Sequence, residues 1–71
     1  MAETVIAPMV GKILAISCKV GDNVAEDDTL LTMEAMKMEI PVVAPASGVV
    51  KEINVTVGES VDADAPLVVI D

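Results

Sequence analysis

The sequence predicts an all-β fold: a flattened barrel or sandwich of two four-stranded antiparallel sheets with internal pseudo-two-fold symmetry. Three observations carry that expectation. Shifted by 37 positions, the chain matches itself at Val5/Val42, Ala7/Ala44, Pro8/Pro45, Gly11/Gly48, Ile16/Ile53, Val20/Val57, Gly21/Gly58, Val24/Val61, Asp27/Asp64 and Leu30/Leu67. These ten identities over residues 5–34 exceed the roughly three that a Val- and Ala-rich composition gives by chance. The 13 valines favour sheet over helix, and with no Phe, Tyr or Trp the interior is built from Val, Ile, Leu, Ala and Met. No long window carries a 3.6-residue apolar period, so no helix is expected.

Short apolar runs place strands near Thr4–Ala7, Gly11–Ser17, Val24, Leu30–Ala35, Met38–Val43, Gly48–Val55, Val61 and Leu67–Ile70. Turns separate them at matching places. Gly21-Asp22 and Gly58-Glu59 supply positions that tolerate left-handed backbone, and Asp27-Asp28 and Asp64-Ala65-Pro66 supply the second turn of each half. Pro41 and Pro66 belong at strand starts or sheet edges, because proline cannot donate to a ladder.

The chain reads as a single domain, 1–71, built from repeats 5–34 and 42–71 with a hairpin, 35–41, between them. Neither repeat is long enough to bury a core alone, so the two must pack on each other. The hairpin has no mate inside the repeat. Under the shift its counterpart falls at the chain ends, which puts the hairpin tip at one end of the molecule and the termini at the other.

Composition narrows the function. A formal charge of −8, from 12 acidic and 4 basic side chains, argues against nucleic acid or an anionic membrane as partner. Without His and with one cysteine, the chain can form neither a zinc site nor an internal disulfide. Cys18 pairs with Val55 in the repeat, so it reads as a small packing residue or a strand-surface position in a reduced compartment. No apolar run approaches a membrane span, and Met-Ala-Glu-Thr is not the start of a secretory signal, so a soluble, cytoplasmic chain is expected, monomeric in isolation. There is no His base, Gly-rich phosphate loop or aromatic pocket wall, and nearly every apolar residue is committed to the core. What remains is to carry a group on an exposed side chain, and a lysine amine on its four-carbon stem can do so as an amide.

Lys37 is the candidate. Apolar strands enter and leave Met33-Glu34-Ala35-Met36-Lys37-Met38-Glu39, yet Met-Lys stands where a tight hairpin prefers Asn-Gly or Asp-Gly. A single lysine on a turn is ordinarily just solvated, with methionines as core filler. Here the lysine sits at the centre of a repeat, where a broken local rule marks function. Glu34 and Glu39 flank it symmetrically and are the acids best placed for a partner.

The stretch Glu34-Ala35-Met36-Lys37-Met38-Glu39 resembles the attachment motif of the biotinyl (biotin carboxyl carrier) domains of the biotin/lipoyl attachment family. Ala7-Pro8, Gly11, Val20-Gly21-Asp22, Ala44-Pro45 and Gly48 match that family in order, so the resemblance covers essentially the whole chain. It implies a barrel-sandwich fold and biotin joined covalently to Lys37 by a biotin protein ligase using ATP. Met36 and Met38 are then the flanking residues that favour biotinylation, with Glu34 and Ala35 in the ligase recognition motif. The implied role is a swinging arm that carries carboxyl groups between biotin carboxylase and carboxyltransferase sites of a carboxylase, transcarboxylase or decarboxylase. No catalytic residue and no metal are expected. A lipoyl carrier is the alternative, but its tip more often reads Asp-Lys-Ala. The ungapped repeat leaves no room for the protruding thumb loop of bacterial acetyl-CoA carboxylase carriers, so the thumbless type is expected.

Overall fold

The computed structural model describes residues 2–71, in which eight strands and no helix make up the fold. They are β1 (Glu3–Ile6), β2 (Gly11–Ile16), β3 (Asn23–Val24), β4 (Thr29–Ala35), β5 (Met38–Val43), β6 (Gly48–Ile53), β7 (Ser60–Val61) and β8 (Pro66–Ile70). All pairings are antiparallel. The strands form two four-stranded sheets, ordered β1-β8-β6-β3 and β5-β4-β2-β7, rather than one closed barrel. Each sheet therefore takes two strands from each half of the chain, and neither half has a sheet of its own.

The pairing repeats under the 37-residue shift. Leu31 faces Val42 and Thr29 faces Val43 across β4–β5, and Val68 faces Val5 and Pro66 faces Ile6 across β8–β1. Both pairs break register at the same place, as do β2–β4 between Ile13 and Ala15 and β6–β8 between Val50 and Glu52. Turn contacts follow suit: the Asp27 N–H donates to the Ala44 carbonyl at 2.8 Å and the Asp64 N–H to that of Ala7 at 2.9 Å. Each half is thus clipped to the other at two equivalent corners. Asp27 and Asp64 both take left-handed backbone, φ 73° and 67°, which Asp tolerates better than most residues. Gly21 and Gly58 supply the first turn of each half with φ 97° and 92°.

The core lies between the sheets. Its largest fully buried side chains are Ile13, Leu30, Leu31, Met33, Val50, Leu67 and Val68, and no polar side chain is buried among the described residues. Pro41 lies on β5, an edge strand, and Pro66 opens β8, so neither removes an interior ladder bond. The strands expected over Gly11–Ser17 and Gly48–Val55 end earlier, at Ile16 and Ile53. One further bond follows each end, from Ser17 N–H to the Leu30 carbonyl and from Asn54 N–H to that of Leu67, both 2.8 Å. Beyond that rung the chain leaves the sheet, but Val55 still tucks into the core at 7% exposure and Cys18, its mate, packs half-buried beside it. Burial, and secondarily the charge of Asp22, pushes the free Cys18 thiol above its usual pKa, which favours the thiol over the thiolate.

Candidate functional site

The hairpin β4–β5 carries the site. Its ladder runs to Glu34 opposite Glu39 and Ala35 opposite Met38, which leaves a loop of only Met36 and Lys37. Both have positive φ, 52° and 64°, as the type I′ hairpin turn requires to match the right-handed twist of the strands. Asn-Gly would adopt this turn readily. Met and Lys adopt it at a cost of about 1–3 kcal/mol per residue, strain that persists only where the surrounding structure imposes it. The imposing structure is the stem below, where β4 is paired on both sides, to β5 and to β2.

The side chains divide by face. Ala35 points inward at 3% exposure, whereas Met36 is 81% and Met38 62% exposed, and Lys37, Glu34 and Glu39 all face solvent. Among the described residues Lys37 has no ion-pair partner; the ion pair on the surface is Lys51–Asp71, 3.0 Å apart. Glu34 and Glu39 stand directly across the ladder from each other, an arrangement of like charges that disfavours the hairpin, relieved on one side by Lys12 opposite Glu34 on β2. Nothing at the tip encloses a small molecule. A shallow surface groove of about 280 Å³ is lined by Val20, Gly21, Val49, Val50, Lys51 and Asp71 and includes no residue of the hairpin. Among the described residues no cluster of carboxylates or thiol is placed to hold a metal ion.

A free primary amine on a strained, protruding turn, bordered by exposed apolar side chains, suits covalent attachment of an acyl group. It does not suit binding within a pocket. The family described as "Biotin-requiring enzyme", the biotin/lipoyl attachment domains, matches residues 3–70. The chain belongs to that family. A "Biotinylated protein TB7.3 homolog" of Mycobacterium leprae is 40% identical over 99% of this chain and 99% of its own length. The "Biotin carboxyl carrier protein" of Streptococcus mutans is 45% identical over 97% of this chain but only 53% of its own. The family fold is also that of a solved structure, the Kluyveromyces lactis urea carboxylase, at a TM-score of 0.95 and 34% identity, with all of this chain aligned to 6% of that one. This chain therefore spans the whole of one relative, half of another and a small part of a multidomain enzyme.

Of the residues singled out in the sequence, Met36, Lys37, Met38 and Glu34 come together as exposed groups on one turn and its stem. Ala35, expected in the motif a ligase recognises, faces inward, where its methyl packs at the base of the turn. Sequence reasoning did not single out Gly11 at this site. An alanine side-chain carbon built there would fall 2.5 Å from the Glu34 carbonyl oxygen and 3.3 Å from the Ala35 methyl. The available signal was a glycine pair, Gly11 and Gly48, placed at strand starts where no turn needs them.

Proposed function

We propose that this chain is a biotin carboxyl carrier with no catalytic group of its own, and that Lys37 is its attachment residue. The observation that supports this reading most strongly is the exposed, unpaired Lys37 amine on a two-residue left-handed turn. A biotin protein ligase joins that nitrogen to the biotin carboxyl through one amide bond, at the expense of ATP. Bound biotin supplies a ureido nitrogen that takes up and gives up a carboxyl group.

The chain's own residues present and restrain the arm. Met36 and Met38 offer apolar contact beside the amine, to the ligase and then to the carboxylating sites. Glu34 and Glu39 add exposed carboxylates that suit a basic partner surface. The paired stem fixes the base of the arm while the lysine side chain stays mobile, and tethering raises the local concentration of the carried group at each site. The partners we propose are a biotin protein ligase and the biotin carboxylase and carboxyltransferase components of a biotin-dependent enzyme, met in the cytoplasm by a monomeric carrier. A similar protein, 51% identical over 72% of this chain, is the "Methylmalonyl-CoA decarboxylase subunit gamma" of Veillonella parvula, a subunit of a decarboxylase. A lipoyl cargo is disfavoured by Met36 and Met38 on either side of the lysine.

The test is carboxyl loading. The biotinylated chain, incubated with biotin carboxylases, ATP and labelled bicarbonate, is expected to gain label, and Lys37→Arg to gain none. Label on the arginine variant, or none on the biotinylated chain, overturns the proposal.

A further inference from the structure

Gly11 and Gly48 are equivalent under the internal symmetry, and both sit in ordinary strand backbone without positive φ. Each is therefore needed for space, not for an unusual conformation. Gly11 opens β2 opposite Val61 of β7, and Gly48 opens β6 opposite Val24 of β3. What each would strike differs. A side-chain carbon at Gly48 would meet the Ile70 Cγ2 atom at 2.7 Å and the Asp71 carbonyl oxygen at 3.1 Å. At Gly11 it would meet the Glu34 carbonyl oxygen at 2.5 Å, the Met33 Cε atom at 2.6 Å and the Ala35 methyl at 3.3 Å. The approach to backbone is thus tighter at Gly11, and the backbone it approaches is the stem of the Lys37 turn.

Resting on the assignment of Lys37 as the attachment residue, we propose that Gly11 is a positioning residue for its acylation. The missing side chain lets β2 seat directly under Glu34 and Ala35, the last residues before the turn, and so sets the angle at which Met36 and Lys37 leave the sheet. The stem has little room to yield. β2 is held between β4 and β7, and Met33 is fully buried, so its terminal methyl cannot swing aside without disturbing the core. An added methyl must therefore displace the Glu34 carbonyl, and the displacement is passed to the turn. The same methyl at Gly48 presses on the Ile70 side chain and the Asp71 carbonyl at the end of β8, which carries no turn.

The symmetry supplies the control. Gly11→Ala and Gly48→Ala are each expected to lower the melting temperature, and both variants are compared with the unaltered chain for initial rates of biotinylation by a biotin protein ligase at saturating and limiting carrier. Gly11→Ala is expected to lower kcat by about tenfold or more with KM for the carrier changed less than about threefold, since Met36, Met38 and Glu34 are still there to be bound while the amine is misdirected. Gly48→Ala is expected to keep wild-type kcat. Equal kcat for the two variants overturns the positioning role, whereas failure of the unaltered chain to accept biotin at Lys37 overturns the assignment of the attachment residue instead. If Gly11→Ala does not fold, Ala35→Gly probes the same contact from the other side without a clash. It is expected to lower kcat several-fold through a looser stem, and unchanged kcat in that folded variant overturns the proposal.

Discussion

The β4–β5 hairpin and the β8–β1 pair are the same structure up to the point where one of them turns. They share register, the break in register and the buried leucine pair Leu30 and Leu67. At one end the ladder closes through Met36 and Lys37 at φ 52° and 64°; at the other it stays open. What the two ends share is explained by folding alone, because it recurs where no lysine is presented. What only the hairpin has is the strained turn, two exposed methionines and a free amine, and those are the features a carrier uses. The internal repeat so separates packing from function within one small molecule.

Changing the tip without touching what is shared is expected to have the largest effect. Met36→Asp with Met38→Ala places a charge where a ligase meets an apolar surface, and biotinylation is expected to fall by about a hundredfold or more while the melting curve moves little. Undiminished biotinylation of that folded variant would return both methionines to plain tip packing. Next come the shared positions: Leu30→Ala and Leu67→Ala, both fully buried, are each expected to cost about 2–5 kcal/mol in denaturant unfolding, and to agree within about 1 kcal/mol. A large disparity would break the equivalence of the halves. Met36→Gly relieves the left-handed strain at the first turn position and is expected to stabilise the fold by about 1 kcal/mol while slowing biotinylation, which a paired melting and rate measurement would show.

The smallest effect concerns Lys51 and Asp71, an exposed pair whose mates at the tip end are Leu14 and Glu34. The Lys51 hydrogen bond holds the Asp71 carboxyl below its usual pKa, and that of Asp71 raises Lys51 above its own. A lowered carboxyl pKa gives stability that is present above the ordinary value, about pH 4, and is lost as the pH falls through the folded value. The raised lysine gives stability that is present below its ordinary value and lost as the pH rises through the folded one. In Lys51→Ala the acid side of the stability profile is expected to shift slightly, and less at high salt. A salt-independent shift would mean the pair is not the cause.

Much of this was legible in the sequence. Matched glycines and apolar runs located all eight strands, and Pro41 and Pro66 fell at an edge and a strand start as proline chemistry requires. The interleaving of the halves was not legible, because a repeat says that a unit recurs without saying which sheet each strand joins. Strand ends at Ile16 and Ile53 were overrun because Ser17 and Asn54 each add one further backbone bond and Val55 still packs in the core while the chain is already leaving the ladder. At the site, Lys37 and its methionines stood out because they break the turn rule. Ala35 was named for the motif but not for its inward packing, and Gly11 was not tied to the turn, since inward packing and a close approach across strands are properties of neighbours distant in sequence.

The most direct measurement is peptide mapping by mass spectrometry after the chain and its Lys37→Arg variant are each expressed with biotin and a biotin protein ligase. Four lysines compete in one molecule, Lys12, Lys19, Lys37 and Lys51, and all four are exposed. Of the four, only Lys37 lies on the left-handed two-residue turn, so one biotinyl group per chain is expected, on Lys37 alone, and none on the arginine variant. Biotin on Lys12, Lys19 or Lys51, or equal labelling of the variant, would contradict the assignment of function to the turn.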